Sequence, residues 1–239
     1  MENLDEFASK YLQPPSVEIE NDLIMNWYPG RIQKRSGHVG HLLELGLGHG
    51  YTVRSFFNMC DNHFVVEGSK KVIDHFGSRN PWYDGTLVPD YFETFDPAQQ
   101  FDLIIMGFVL EHVDDPDAIL KRYRNFLKPG GRIWIAVPNA KSLNRRLGLE
   151  MGMIKDIYDL NETDHALGHK RNFCRDTLRD TIERTGGKVT YEEGLYLKPL
   201  PLSVLKTLDN FEGNLQAMMA VGVDFPDLSV ALLCEVAYD

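Results

Sequence analysis

What most limits the fold of this chain is a series of short apolar runs, each closing on glycine, proline or a turn. Stretches of helical periodicity separate them. The runs are HLLELG ending at Gly46, HFVVEG ending at Gly68, TLVPDYF around Val88, FDLIIMG ending at Gly107 and RIWIAVP ending at Pro138. Runs this short and this uniformly apolar are the pattern of parallel strands buried on both faces, and the helical stretches between them serve as crossovers. Between the fourth and fifth runs, Asp115 is placed to cap a helix with Pro116 in its first turn. Ile119, Leu120, Tyr123 and Leu127 recur on one face of that helix, and Lys128-Pro129-Gly130-Gly131 stops it. Leu178 and Ile182 mark a later helix ended by Gly186-Gly187, after which KVTYEEGLYL and SVALLCEVAY form a closing pair of strands. The expected fold is α/β, with a doubly wound, mostly parallel, seven-stranded sheet.

The 239 residues, 43% hydrophobic and 25% charged, suit a single core. Three stretches do not fit a bare alternating unit: residues 1–37, 139–173 and 199–228. The first two are expected to be helical or loop additions over the active edge of the sheet. The chain then divides into an N-terminal helical cap (1–37), a cofactor-binding core (38–138), a substrate-side insertion (139–173) and a C-terminal part (174–239) with a helical insertion at 199–228. In that insertion LQAMMAVGV has helical spacing, and Met218 and Met219 are expected in the core or in a homodimer contact rather than against a cofactor.

With 35 acidic against 25 basic residues the formal net charge is -10, which argues against a nucleic-acid partner. Cys60, Cys174 and Cys234 are odd in number and far apart, so they read as reduced thiols rather than a disulfide framework or zinc knuckle. The opening MENLDEFASKYLQ is acidic and polar where a signal peptide is basic and then apolar, and no apolar run approaches the ~18 to 20 residues of a membrane span. A cytoplasmic protein without stable membrane insertion is expected.

The strongest chemical signal lies in HLLELGLGHGY, where Gly46, Gly48 and Gly50 follow a strand and precede a helix beginning near Tyr51. A dinucleotide loop has its last glycine one residue later, at the place held here by Tyr51, so a pyrophosphate is not required of the ligand. Bare backbone nevertheless turns tightly there and lets a ligand approach. Glu67 ends the second run 21 positions after Gly46, near the ~20-residue offset at which an acidic side chain meets ribose hydroxyls. Glu44 adds a carboxylate suited to an amino group. Ribose together with an amino acid points to S-adenosylmethionine.

From Gly40 to Gly194 the sequence resembles the class I S-adenosylmethionine-dependent methyltransferases. The likeness rests on E-x-G-x-G-x-G at Glu44 to Gly50, the acidic end of the second strand, FDLIIMGFVLEHVDDP and LKPGGRIWIAVPN, all in order. It is greatest to the small-molecule branch that includes the ubiquinone-pathway O-methyltransferases and many glycan and natural-product methyltransferases. The resemblance implies a Rossmann-like fold in which Glu44, Gly46, Gly48 and Gly50 hold the methionine portion and Glu67, Gly68 and Ser69 the ribose. By the same likeness Asp90, Tyr91 and Phe92 flank the adenine, although LVPDYFETF departs from the commoner glycine-aspartate form, and Gly107 and Phe108 close the methionine side. A nicotinamide enzyme is the competing assignment for such a loop.

Methyl transfer from a sulfonium requires an aligned nucleophile and, where needed, removal of its proton. His112, just beyond the fourth strand, lies where open α/β sheets place ligands and is the first candidate base. Its alternative is to fix the loop around Asp114 and Asp115. TDHALGHKRNF supplies Asp164, His165, His169, Lys170 and Arg171, with His169 the second catalytic candidate. Together with Lys141, Arg145 and Arg146 they form a basic island in an acidic chain, suited to a carboxylate or phosphate on the acceptor, to a solvated helix face or to anionic lipid. Tyr11, Tyr28, His165, Arg171 and Arg145 are the candidate acceptor-binding residues, although Trp27 and the two tyrosines at such spacing are more often packing. His165 and His169 are four apart, as metal ligands on a helix would be, but Gly168 interrupts such a helix and no metal is expected. The expected activity is methylation of a hydroxyl on a small, anionic metabolite. N-methylation of an amino sugar, amino acid or peptide, and a degenerate fold kept as a non-catalytic binding partner, are the rivals.

Overall fold

Each apolar run becomes a strand in the protein's computed structural model, which describes residues 4–6, 8 and 18–239. The strands are β1 (Val39–Leu45), β2 (Cys60–Val66), β3 (Thr86–Val88), β4 (Phe101–Gly107), β5 (Leu127–Pro138), β6 (Gly187–Leu195) and β7 (Ala231–Tyr238). They form one seven-stranded sheet in the order β3-β2-β1-β4-β5-β7-β6. β1 to β5 pair in parallel, and β7 runs antiparallel to both β5 and β6. Strand order reverses between β1 and β4, and the crevice outside the carboxyl ends of such a pair is where open α/β sheets hold ligands.

Side chains alternate between the faces, and both faces are apolar because both are covered. Leu43, Ile104, Met106, Ile133 and Ile135 point to one side. There they meet α4 (Pro116–Tyr123) through Ile119, Leu120 and Tyr123, and α7 (Arg175–Arg184) through Leu178 and Ile182. Leu42, Leu103, Ile105, Trp134 and Ala136 point to the other side. They are covered by α1 (Glu18–Ser36) through Ile24, Tyr28 and Ile32, by Phe56 of α2 (Val53–Phe57) and by Leu215 and Met219 of α9 (Phe211–Gly222). Met219 is fully buried in this layer and Met218 packs against it.

Local chemistry sets the helix starts. The Asp115 carboxylate accepts from the Ala118 amide at 3.0 Å at the head of α4, with Pro116 in the first turn. Ser69 caps α3 (Lys70–Arg79) by accepting from Val72. The helix before β5 is shorter than its periodicity suggests. α4 stops at Tyr123, a 3-10 turn follows, and Leu127 opens β5 opposite Phe101 instead of closing the helical face. Lys128-Pro129-Gly130-Gly131 therefore lies within the strand, at an irregularity in its register with β4.

The 139–173 stretch leaves the sheet after β5 and returns beside its own starting point. Asn139 is buried, bridges to Phe173, and donates to the carbonyls of Pro226 and Ser229 at 3.1 and 2.9 Å. The stretch carries α5 (Leu143–Glu150) and α6 (Glu162–Leu167), while α8 (Leu202–Leu205) and α9 lie between β6 and β7. All three cysteines are free and buried. Among the described residues no helix is long and apolar enough to cross a membrane.

Candidate active site

The loop after β1 is a turn that only glycine adopts without strain at three places: Gly46, Gly48 and Gly50 have φ of +83°, +49° and +77°. Gly50 is needed twice over, since a Cβ there would sit 2.8 Å from the Phe76 ring. At Gly48 nothing lies within 4 Å of the same position, so the middle of the loop presents bare backbone to open space. Glu67 binds this loop to the end of β2. Its carboxylate accepts from the Leu47 amide at 3.0 Å and from the Ser69 amide at 2.7 Å. Burial raises the Glu67 pKa, opposed by those amide hydrogen bonds.

Glu44 lies beneath the loop. It is 3% exposed, accepts from the Thr52 hydroxyl, and has its second oxygen 3.3 Å from His63 Nε2, close but not aligned for a hydrogen bond. The Tyr83 hydroxyl is 3.2 Å from His63 Nδ1 and Tyr28 reaches Thr52 from α1, which completes a buried polar chain under the glycine turn. Gly107 admits the Tyr28 hydroxyl, which fills the space a side chain there would occupy. Phe108 follows with a left-handed φ of 58°, a strained conformation for an aromatic residue, and packs edge-on to Tyr28 at 6.1 Å.

Asp90 stops the chain after β3 by accepting from the Tyr91 amide at 2.8 Å and the Thr94 hydroxyl at 2.5 Å. This turn faces the glycine loop, because Phe92 would lie 3.7 Å from a Cβ on Gly46 and Tyr91 3.5 Å from one on Gly68. Leu4 crowds Gly68 from the other side, and the Asp5 carboxylate accepts from the Ser69 hydroxyl at 2.6 Å. The N-terminal turn thus rests on the end of β2.

Beyond Phe108 the backbone curls so that Glu111, His112 and His169 converge. The His112 amide donates to Val109 and the Lys170 amide to the Glu111 carbonyl at 2.8 Å, which brings the end of the 139–173 stretch against the β4 loop. The His112 and His169 rings meet edge to face with centroids 4.7 Å apart, and His112 hydrogen-bonds to the Gly168 backbone. Asp164 stands behind, its carboxylate 3.3 Å from His169 Nδ1. Glu111 is wholly buried, and among the described residues no side chain donates to either carboxylate oxygen. Burial pushes its carboxyl up to about 7. Burial, with the neighbouring His169, pushes His112 down to about 4, so this imidazole is neutral at pH 7.

The basic island does not converge in the same way. Arg171 spends its guanidinium on the carbonyls of Leu110, Val113 and Asp114, clamping the loop that carries Glu111 and His112. Arg145 donates to the carbonyls of Ile157 and Asp159, Lys141 pairs with Asp176, and Lys170 pairs with Asp114. His165 is exposed on α6, while Tyr28 is buried at 2% exposure. Tyr11 lies outside the described residues. Reasoning from sequence passed over Glu111 as a site residue, although an acid flanked by Val109, Leu110 and Val113 was a readable sign of a buried carboxylate. Thr52, His63 and Tyr83 carry no such sign, since only the packing of α2 and β2 brings them to Glu44.

The whole architecture is shared with solved structures. The chain is similar to the N-methyltransferase NodS from Bradyrhizobium japonicum WM9 in complex with S-adenosyl-L-homocysteine, with TM-score 0.62 and 14% identity over 98% of each chain. It is similar to a chain from the complex of the Haloferax volcanii Trm112 methyltransferase activator, with TM-score 0.66 and 15% identity over 98% of this chain and 97% of that one. A third likeness is to the glycopeptide N-methyltransferase MtfA complexed with sinefungin, with TM-score 0.61 and 14% identity over 90% of this chain and 86% of that one. Among curated proteins none matches. Identities of this size establish a shared fold and no more. The family model described as a methyltransferase domain, however, matches residues 22–192, from α1 into β6 and across the glycine loop, Glu67 and the Glu111–His112–His169 cluster, and the chain therefore belongs to the methyltransferase-domain family on the class I methyltransferase fold.

Proposed function

We propose that this protein transfers a methyl group from S-adenosylmethionine to a hydroxyl of a small, anionic metabolite: a sugar, or a phosphorylated or carboxylated biosynthetic intermediate. The observation that carries the cofactor assignment is Glu67, which joins the bare turn at Gly46–Gly50 to the end of β2 through the Leu47 and Ser69 amides. A carboxylate oxygen has lone pairs left after one amide bond, so Glu67 can also accept from a ribose diol. Tyr91 and Phe92 offer aromatic faces for the adenine, with Asp90 setting their turn, while Gly68 and Ser69 line the ribose side. Gly107 and Phe108 bound the methionine end, and Glu44 supports that end from below through Thr52. S-adenosylmethionine, when bound, supplies an electrophilic methyl group on a sulfonium.

His112 takes the acceptor proton, and His169, backed by Asp164, holds the His112 ring in place. A proton acceptor at this point suits a hydroxyl nucleophile, which must lose its proton as it attacks. Arg171 and Arg145 remain charged while donating to carbonyls, so the island keeps a positive potential for an anionic acceptor. N-methylation of an amino sugar, amino acid or peptide is the second reading, favoured by the likeness to NodS and MtfA, which are N-methyltransferases.

Two measurements test the assignment. Calorimetry with S-adenosylhomocysteine should show one site per chain, weakened on the order of 100-fold by Glu67→Ala through the loss of two charge-assisted bonds. No binding, or binding indifferent to that substitution, would favour a non-catalytic partner that keeps only the fold. Incubation with methyl-labelled S-adenosylmethionine and a panel of hydroxy and amino compounds, phosphorylated or carboxylated, then decides between oxygen and nitrogen.

A further inference from the structure

Glu111, His112 and His169 form a ligand set as well as a proton-transfer site. One ligand atom from each lies within 4.8 Å of the other two. Ligand atoms bonded to one ion at ~2.1 Å stand ~3 to 4 Å apart, so small side-chain rotations close the set around a cation. Glu111 is 0% exposed, no side chain among the described residues donates to its carboxylate, and the two imidazoles lie within ligand distance of it. A buried carboxylate without donors is costly unless a cation completes it. Asp164, 3.3 Å from His169 Nδ1, stands where a carboxylate orients a metal-bound histidine, leaving Nε2 for the ion. Glu111 and Asp164 together match the charge of a divalent ion, and Arg171 and Lys170, although within electrostatic reach, aim their donors at the Leu110, Val113 and Asp114 carbonyls and the Asp114 carboxylate rather than at the Glu111 carboxylate.

We propose that Glu111, His112 and His169 bind one first-row divalent cation of the zinc or manganese type, which receives the acceptor through two oxygens. Two imidazoles and one carboxylate suit such ions better than magnesium, and three protein ligands leave neighbouring positions open. The acceptor that fits is a hydroxyl with a second oxygen on the adjacent carbon: a hydroxy acid or a vicinal diol. With the ion bound, His112 ligates it instead of taking the acceptor proton directly, and the cation makes the acceptor hydroxyl easier to deprotonate; that part presupposes the methyltransferase activity proposed above. Binding of the ion itself does not. His165 takes no part in the set, so the pairing that sequence spacing suggested is replaced by one that links two distant segments.

The test uses tag-free full-length protein, stripped with EDTA and dialysed. Titration with Co2+ should give visible d–d absorption saturating at one ion per chain, and Zn2+ should raise the melting temperature. Glu111→Gln and His169→Ala should each weaken Zn2+ binding about 100-fold or more, Asp164→Asn about 10-fold, and His38→Ala, on an exposed histidine paired with Asp61, not at all. His169→Ala and Asp164→Asn alter partly exposed side chains and carry the test independently of Glu111→Gln. Sub-stoichiometric binding, or binding unchanged by His169→Ala and Asp164→Asn, overturns the site. S-adenosylhomocysteine calorimetry on the same samples separates the two claims: nucleoside binding without cation binding removes the metal and leaves the methyltransferase.

Discussion

Replacing Glu111 with glutamine in metal-free protein should stabilise the fold, and only above a definite pH. The carboxyl ordinarily titrates at 4.5, and burial holds it at about 7 in the folded chain. Between those values the folded protein binds a proton that the unfolded chain has released, so folding stability falls as pH rises through that window. Each tenfold change in proton affinity is about 1.4 kcal/mol, and the whole displacement is on the order of 3 kcal/mol. Glutamine imitates the protonated acid at every pH. Glu111→Gln and wild type should therefore unfold alike at pH 4 and diverge by ~3 kcal/mol at pH 8, about 1 M in urea midpoint for an m-value near 3 kcal/mol per molar. His112, whose pKa is displaced in the opposite direction, and His169, Asp164 and Arg171 around Glu111 are present in both proteins, so their contributions largely cancel in the difference. Urea unfolding in EDTA at pH 4, 6 and 8 measures it. A glutamine variant less stable than wild type at pH 8 would mean that the carboxylate has partners the structure lacks, and the cost assigned to its burial would be refuted.

Gly50→Ala should cost about 2 to 4 kcal/mol, because the left-handed φ of +77° is strained for alanine and its Cβ would meet the Phe76 ring at 2.8 Å; a loss under ~1 kcal/mol in urea unfolding would contradict that geometry. His112→Ala should lower the methyl-transfer rate by ~10² or more while S-adenosylhomocysteine affinity stays nearly constant, and unaltered turnover would remove His112 from the chemistry. Arg171→Ala should raise the Michaelis constant of the acceptor and also lower stability by ~1 to 3 kcal/mol, since it abandons three carbonyls around the β4 loop. An effect confined to cofactor affinity would speak against both roles.

The site divides the labour between backbone and side chains. Gly46, Gly48 and Gly50 set a turn whose conformation needs no partner, and Glu67 then locks it to β2 with two amide bonds. The acceptor side is assembled differently. His112 belongs to the loop after β4, whereas Asp164 and His169 arrive from the 139–173 stretch, held at its start by Asn139 and near its end by Lys170 and Arg171. A change in that stretch can alter the acceptor site while leaving the cofactor turn intact.

Strand identities, the sheet's parallel character, the glycine turn and Glu67 were legible without coordinates, because each depends on residues close in sequence. Apolar runs set burial, glycine sets φ, and a carboxylate at a strand end has its position dictated by the strand. The length of the helix before β5 was not legible, since Leu127 serves a helical face and a strand edge equally well until Phe101 pairs with it. The hydrogen bonds of the basic island were not legible for the same reason: a guanidinium in a sequence shows a charge but not the carbonyls that Arg171 and Arg145 meet. Glu111, His112 and His169 became one cluster only through a tertiary contact across more than fifty residues, where the Lys170 amide meets the Glu111 carbonyl. Local chemistry can be read along a chain, but convergence of distant side chains is decided by packing, which acts between segments that the sequence keeps apart.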